Sequence, residues 1–181
     1  MKHNMETIPK KTGFLERFLW IIIFLIGLGV IAPILLGMGL AGQKFGAMMG
    51  FIFSAFALQA IAAPLGLPLG LTSPQILIIM AIFGIGIILG VFEICKVLGA
   101  SSKRVSAFIG KIEQKMGKYP FLHRFGAASC FLIVWIPGLG LYGTPVIAWL
   151  LSWKRIPSII MTFLGFMSGC IVFLFFTNQI F

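Results

Sequence analysis

Long uncharged runs alternate with short polar ones along the whole chain. Residues 18–42 form the first apolar run, beginning Phe18-Leu-Trp-Ile-Ile-Ile-Phe. A helix that crosses a bilayer needs roughly 20 apolar residues, and this run supplies them. Pro33 predicts a kink, or the end of the run's first half, because proline donates no backbone hydrogen bond. After the polar pair Gln43-Lys44 the chain is apolar again over 45–63, with one interior amide, Gln59. Ala62–Pro74 follows, in which Pro64, Pro68 and Pro74 stand among glycines and exclude a regular helix. Residues 75–98 read as a second span and 99–124 as a basic linker. Residues 125–153 are apolar, with a second broken stretch from Trp135 through Pro137, Gly140 and Gly143 to Pro145. Residues 156–178 form the last span.

Both broken stretches are uncharged, which is unusual for loops in water. Non-helical backbone at membrane depth is tolerated only where protein or a water-filled cavity surrounds it. The two halves also share an order: apolar segment, uncharged Pro/Gly break, spanning helix. Leu65–Gly70 can be laid on Leu139–Gly143, and Pro74–Met80 on Pro157–Met161. Paired Pro/Gly interruptions in two halves of a chain point to a transporter's binding site.

Charge decides between two topologies. If all five apolar segments cross, with the N-terminal tail in the cytoplasm, the linker carrying Lys103, Arg104, Lys111, Lys115, Lys118 and Arg124 falls outside. Inverting the protein places the basic tail and Lys154-Arg155 outside instead. Both versions break the positive-inside rule. If 45–74 and 125–153 enter the bilayer and return, every basic cluster is cytoplasmic and only Lys44 is misplaced. The expected architecture is therefore all-α: a single transmembrane domain with three spanning helices and two opposed re-entrant helical hairpins in an inverted repeat. A cytoplasmic interfacial amphipathic helix is expected over 101–118, where Val105, Phe108, Ile109, Ile112 and Met116 recur at helical spacing. The predicted location is the cell membrane, multi-pass, with the N-terminus cytoplasmic.

Composition agrees. Of the 181 residues, 60% are hydrophobic and 10% charged, far from the balance of a soluble domain. The net charge of +10 comes from basic residues at the edges of apolar runs, where they orient the protein and attract anionic head groups. No aromatic-basic surface for nucleic acid is present. The first run, too long for a signal peptide's core, reads as a retained anchor. Cys95, Cys130 and Cys170 lack metal-ligand spacing and read as small buried hydrophobes. Gly42, Gly46, Gly50 and Ser54 form one small-residue stripe, and Gly165 with Gly169 another. Such stripes pack helices, within a chain or between subunits of a homo-oligomer.

Several of these residues resemble a known family. Phe53-Ser-Ala-Phe56 with Gln59, Ala62-Ala-Pro64-Leu-Gly-Leu-Pro68, Arg124-Phe-Gly126 and Trp135 through Ala148 are similar to the small multidrug export proteins, a family related to the DedA (VTT-domain) superfamily. The resemblance covers about residues 45–178. It implies two opposed re-entrant hairpins and the movement of lipids, polyprenyl phosphates among them, with proton-dependent transport. The chain departs from the DedA pattern: it has no acid between Arg17 and Glu93, and no arginine between Arg124 and Arg155.

An enzyme is not expected. The histidines are His3 and His123, no acidic pair lies within a span, and no metal or cofactor set is visible. The expected function is a transporter or lipid translocase for a small-molecule or lipid-phosphate substrate. Proton-coupled export of hydrophobic or cationic compounds and a non-transporting scaffold or insertion factor are the alternatives. The candidate substrate-binding residues are Gln59, Pro64, Pro68, Arg124, Trp135, Pro137, Tyr142 and Thr144. Gln59 needs partners in lipid, and the opposed hairpin is their natural source. Arg124 reads either as a bidentate phosphate ligand or as an interfacial anchor. Glu93, the one acid within a span, is either a proton relay or the ion-pair partner of Lys96.

Overall fold

The structure, a computed structural model, describes residues 11–101, 120–136, 140–151 and 153–180. These residues are helical throughout, with no strand among them. The order is α1 (Lys11–Ile26), a π-helical turn (Gly27–Ile31), α2 (Ala32–Ala41), α3 (Phe45–Leu58), a 3-10 segment (Gln59–Gly66), α4 (Ser73–Ser101), α5 (Pro120–Ile133), α6 (Gly140–Leu150) and α7 (Arg155–Ile180). Four helical stretches are long and apolar enough to cross a membrane: Phe18–Leu40, Phe45–Gly66, Ser73–Val97 and Arg155–Gln179. This is a membrane protein by that measure. Phe45–Gly66 joins the three spans expected from the sequence. The predicted amphipathic helix at 101–118 lies, but for its first residue, outside the described residues.

Pro33 does not break the first span. It sits in the first turn of α2, directly after the π turn. The Ala32 N–H there donates to the Gly27 carbonyl, and the wider turn absorbs the mismatch that proline introduces. The span ends at Gly42, whose φ of 60° is a left-handed cap that glycine adopts without strain.

α4 is the hub. It packs against α1, the π turn, α2, α6 and α7, and Ile76, Ile79, Met80, Phe83, Ile87, Ile88 and Phe92 are all buried. It runs antiparallel to the first span, since Leu25 meets Gly90, Gly29 meets Gly86 and Ile87, and Gly37 lies beside Ile79. It is also antiparallel to α7: Ser73 bonds Asn178, Gly84 faces Phe166, and Glu93 pairs with Arg155. At Gly86 the two backbones nearly touch. A Cβ there would lie 2.7 Å from the Gly29 nitrogen and 2.8 Å from its Cα.

Neither limb of the second broken segment is long enough to cross. α5 has 14 residues and α6 has 11, or roughly 21 Å and 16 Å at 1.5 Å per residue, against a hydrocarbon core of roughly 30 Å. α3 has 14 residues and reaches about 21 Å before Gln59 turns the chain.

The chain breaks earlier than the first proline suggests. Gln59 is the one described non-glycine residue with positive φ, at 56°, and the 3-10 segment runs from it through Pro64. Pro64 would clash with the Ala60 carbonyl and disfavours α geometry in the residue before it, so the tighter winding starts upstream. The second stretch resumes sooner than expected. α6 begins at Gly140 and carries Pro145 inside it, where the proline leaves the Leu141 carbonyl without an intrahelical donor. The halves thus share an order of elements more than letters. Leu65–Gly70 is the turn that leads toward α4, whereas Gly140–Gly143 opens α6.

The glycine stripes differ in use. Gly165 brings α7 against the Phe131 backbone, and Gly169 brings it against Ala60. Gly42, Gly46 and Gly50 have open space where a Cβ would stand. Gly86→Val is therefore expected to destabilise the detergent-solubilised protein by about 2 kcal/mol through overpacking. Gly46→Val is expected to change stability by less than about 0.5 kcal/mol. Thermal unfolding of the two variants checks the contrast.

Candidate functional site: the junction of two helix breaks

Gln43 and Lys44 stand where the first span ends. Gly70, at the far end of the 3-10 limb, has its Cβ direction 3.6 Å from the Gln43 Nε2. Gln75 Nε2 donates to the Leu40 carbonyl at 3.1 Å, and Gln75 Oε1 accepts from the Thr72 N–H at 2.9 Å. Gly70 and Gln75 thus lie beside the residues where the first span ends. The segment 45–66 reaches the middle of the bundle. Phe56 meets Phe83 edge to face with ring centres 5.0 Å apart, and Ala60 lies against Gly169. Phe83 and Gly169 lie near the midpoints of α4 and α7.

The other broken segment approaches from the opposite end. Gly126 of α5 lies under Trp153, two residues before α7 begins, and Phe131 faces Gly165 further along. α5 therefore runs beside the first half of α7, and the chain breaks at Val134–Ile136. α6 then packs against both α4 and α7.

The two breaks meet. The Leu141 N–H donates to Gln59 Oε1 at 2.8 Å, and the Tyr142 hydroxyl donates to the Phe56 carbonyl at 2.8 Å. Leu141 opens α6, so its N–H lacks an intrahelical partner, and the Gln59 carboxamide supplies one. Phe56 lies at the end of α3, where carbonyls go unpaired for the same reason, and the Tyr142 hydroxyl covers one of them. Gly140 is required on two counts: its φ is +24°, and a Cβ would fall inside the Gln59 carboxamide.

The predicted site residues divide. Gln59 and Tyr142 come together, and Gln59 finds its partner in the second broken segment. Thr144 is fully buried and spends its hydroxyl on the Gly140 carbonyl at 2.6 Å, so it closes its own helix. Pro64, half-buried, and Pro68, exposed, sit on the limb that leads back to Gly70, away from the junction. Trp135 is exposed in the turn after α5. The Arg124 backbone belongs to α5, but its side chain, like all of Pro137, lies outside the described residues. Glu93 stands at the far end of α4, paired with Arg155 and, at 3.9 Å, with Lys96.

Sequence reasoning missed Phe56, Gly140, Leu141 and Arg155. The first three act through backbone groups or a missing Cβ, which leave no letter pattern. Arg155 could have been found, because the hairpin topology places both Glu93 and Lys154-Arg155 at the cytoplasmic end.

No family model, no curated protein and no solved structure matches this chain.

Tyr142→Phe is expected to cost about 1 kcal/mol by removing one hydrogen bond. Gly140→Ala is expected to cost about 2 kcal/mol, from overpacking and a strained φ. Adding Gln59→Ala should recover part of the Gly140→Ala loss, because the clash and its target disappear together. A double-mutant cycle in thermal unfolding measures that coupling, and additivity would contradict the contact.

Proposed function

We propose that the chain is a membrane translocase for a lipid phosphate, working where two re-entrant hairpins meet from opposite leaflets. The observation that carries this reading is the bond from the Leu141 N–H to Gln59 Oε1. It joins two helix breaks at the mid-depth of the bundle, where an uninterrupted set of spans would offer only side chains. The proximity of Gln43 to Gly70, and of Gly126 to Trp153, supports hairpins that each return to their own side. The same order of elements in the two halves supports an inverted repeat.

The chemistry of the junction favours an anion. α6 starts there, and the N–H groups of a helix's first turn attract negative charge. Leu141 is held by a neutral carboxamide oxygen, which a phosphate oxygen can replace with a stronger, charge-assisted bond. No carboxylate lies at the junction among the described residues. The alternative, proton-coupled export of cations, calls for an acid within the membrane. Glu93, the candidate for that role, is already neutralised by Arg155 at the end of the bundle. In this reading the Gln59–Leu141 bond is the closed state of the path, and the substrate head group takes the place of Gln59 as it passes.

Purified protein in vesicles is expected to move a fluorescent polyprenyl-phosphate analogue between leaflets and to leave a cationic dye in place. Gln59→Leu removes the group that the head group displaces from the Leu141 N–H and is expected to tighten binding of that analogue several-fold. Dye export with no lipid movement would favour the cation reading. Absence of both from folded protein would leave a scaffold or insertion factor.

A further inference from the structure

Away from the junction, ion-paired side chains gather at the end of the bundle where α4 finishes and α7 begins. Glu93 receives Arg155 on Oε1 and Lys96 on Oε2. Lys154 is exposed and has no ion-pair partner among the described residues. Two cations thus pair with one carboxylate, and a third, Lys154, precedes Arg155 in the chain. α7 starts at Arg155, and the N-terminal end of a helix adds further positive potential. The indole N–H of Trp153, beside Lys154 in the chain, is buried against Gly126 with no acceptor among the described residues.

We propose that Lys96, Lys154 and Arg155 form a receiving site for a phosphate-bearing ligand, and that Glu93 occupies it in the empty protein. The carboxylate stands where a phosphate oxygen would. It is displaceable, because ion pairs as exposed as this one contribute little net stability. The Arg155 side chain is 45% exposed and Glu93 31%. A phosphate offers Arg155 a bidentate partner and leaves an oxygen for the lysines. The place suits loading, since Lys154 and Arg155 follow directly on the second hairpin and Gly126 of its first limb lies beside Trp153. The loading role rests on the translocase reading; binding itself does not. The ligand is either a lipid head group or a free phosphate ester.

The test is binding by the full chain in phosphatidylcholine nanodiscs, titrated separately with short-chain phosphatidic acid and with inorganic phosphate. Glu93→Gln removes the internal competitor and is expected to tighten binding several-fold. Arg155→Gln is expected to weaken it at least tenfold, with Arg155→Lys between. Lys154→Gln leaves the Glu93–Arg155 pair untouched and is expected to weaken binding a few-fold, so it tests the site even if a Glu93 variant misfolds. Binding by phosphatidic acid alone identifies a head-group site, and binding by both ligands a general phosphate site. A structural latch predicts that Lys154→Gln changes nothing and that Glu93→Gln fails to tighten binding; that pair of results overturns the proposal. Binding without lipid movement in vesicles would remove the translocase reading and leave this site standing. Lipid movement unaltered by Arg155→Gln, with no binding here, would do the reverse.

Discussion

A backbone that leaves α geometry inside hydrocarbon must find its hydrogen-bond partners within the protein, because lipid offers none. This chain breaks its helices at Gln59 and again after Ile133, both near the middle of the bundle. Each break supplies what the other lacks. The Gln59 carboxamide covers the Leu141 N–H, and the Tyr142 hydroxyl covers the Phe56 carbonyl. Gly140 makes the approach possible by having no side chain. The remaining architecture positions these few groups.

That positioning is the work of α4. Its buried face meets the first span along one side and α6 and α7 along the others, with Phe83 placed between Phe56 and Phe166. The close crossing at Gly86 and Gly29 fixes the depth of the first span. At one end Gln75 bonds the Leu40 carbonyl, which joins α4 to the first span. The hydrogen-bonded junction at half-height is, on the proposed mechanism, where a polar group pauses between leaflets. On the proposed mechanism the energy released when a phosphate takes the Leu141 N–H offsets the loss of the Gln59 contact.

Much of this was legible in the sequence, and for identifiable reasons. Uncharged runs of the right length marked the spans, because lipid filters composition strongly. The isolated amide at Gln59 signalled a partner, because an unpaired carboxamide in hydrocarbon is costly. The positions of the breaks were less legible. Pro64 acts on residues upstream of itself, so the turn falls at Gln59, whereas Pro145 is carried inside α6. Phe45–Gly66 is long and apolar enough to cross a membrane, and composition alone does not separate a crossing from a return. The closeness of Gln43 to Gly70, a contact no local pattern encodes, supports the proposed return. Thr144 counts among the candidate substrate-binding residues, yet a threonine in a helix can satisfy itself on the carbonyl four residues back, as it does here on Gly140.

Whether 45–66 returns to the side it came from decides the account. In a variant lacking the three native cysteines, single cysteines replace Lys44, Thr72, Lys96 and Lys154 in turn, and a membrane-impermeant maleimide is applied to sealed vesicles of known orientation. The account predicts that positions 44 and 72 label together from one face, and that 96 and 154 label together from the other. Labelling of 44 and 72 from opposite faces would mean that the segment crosses, and the junction would then no longer join two hairpins.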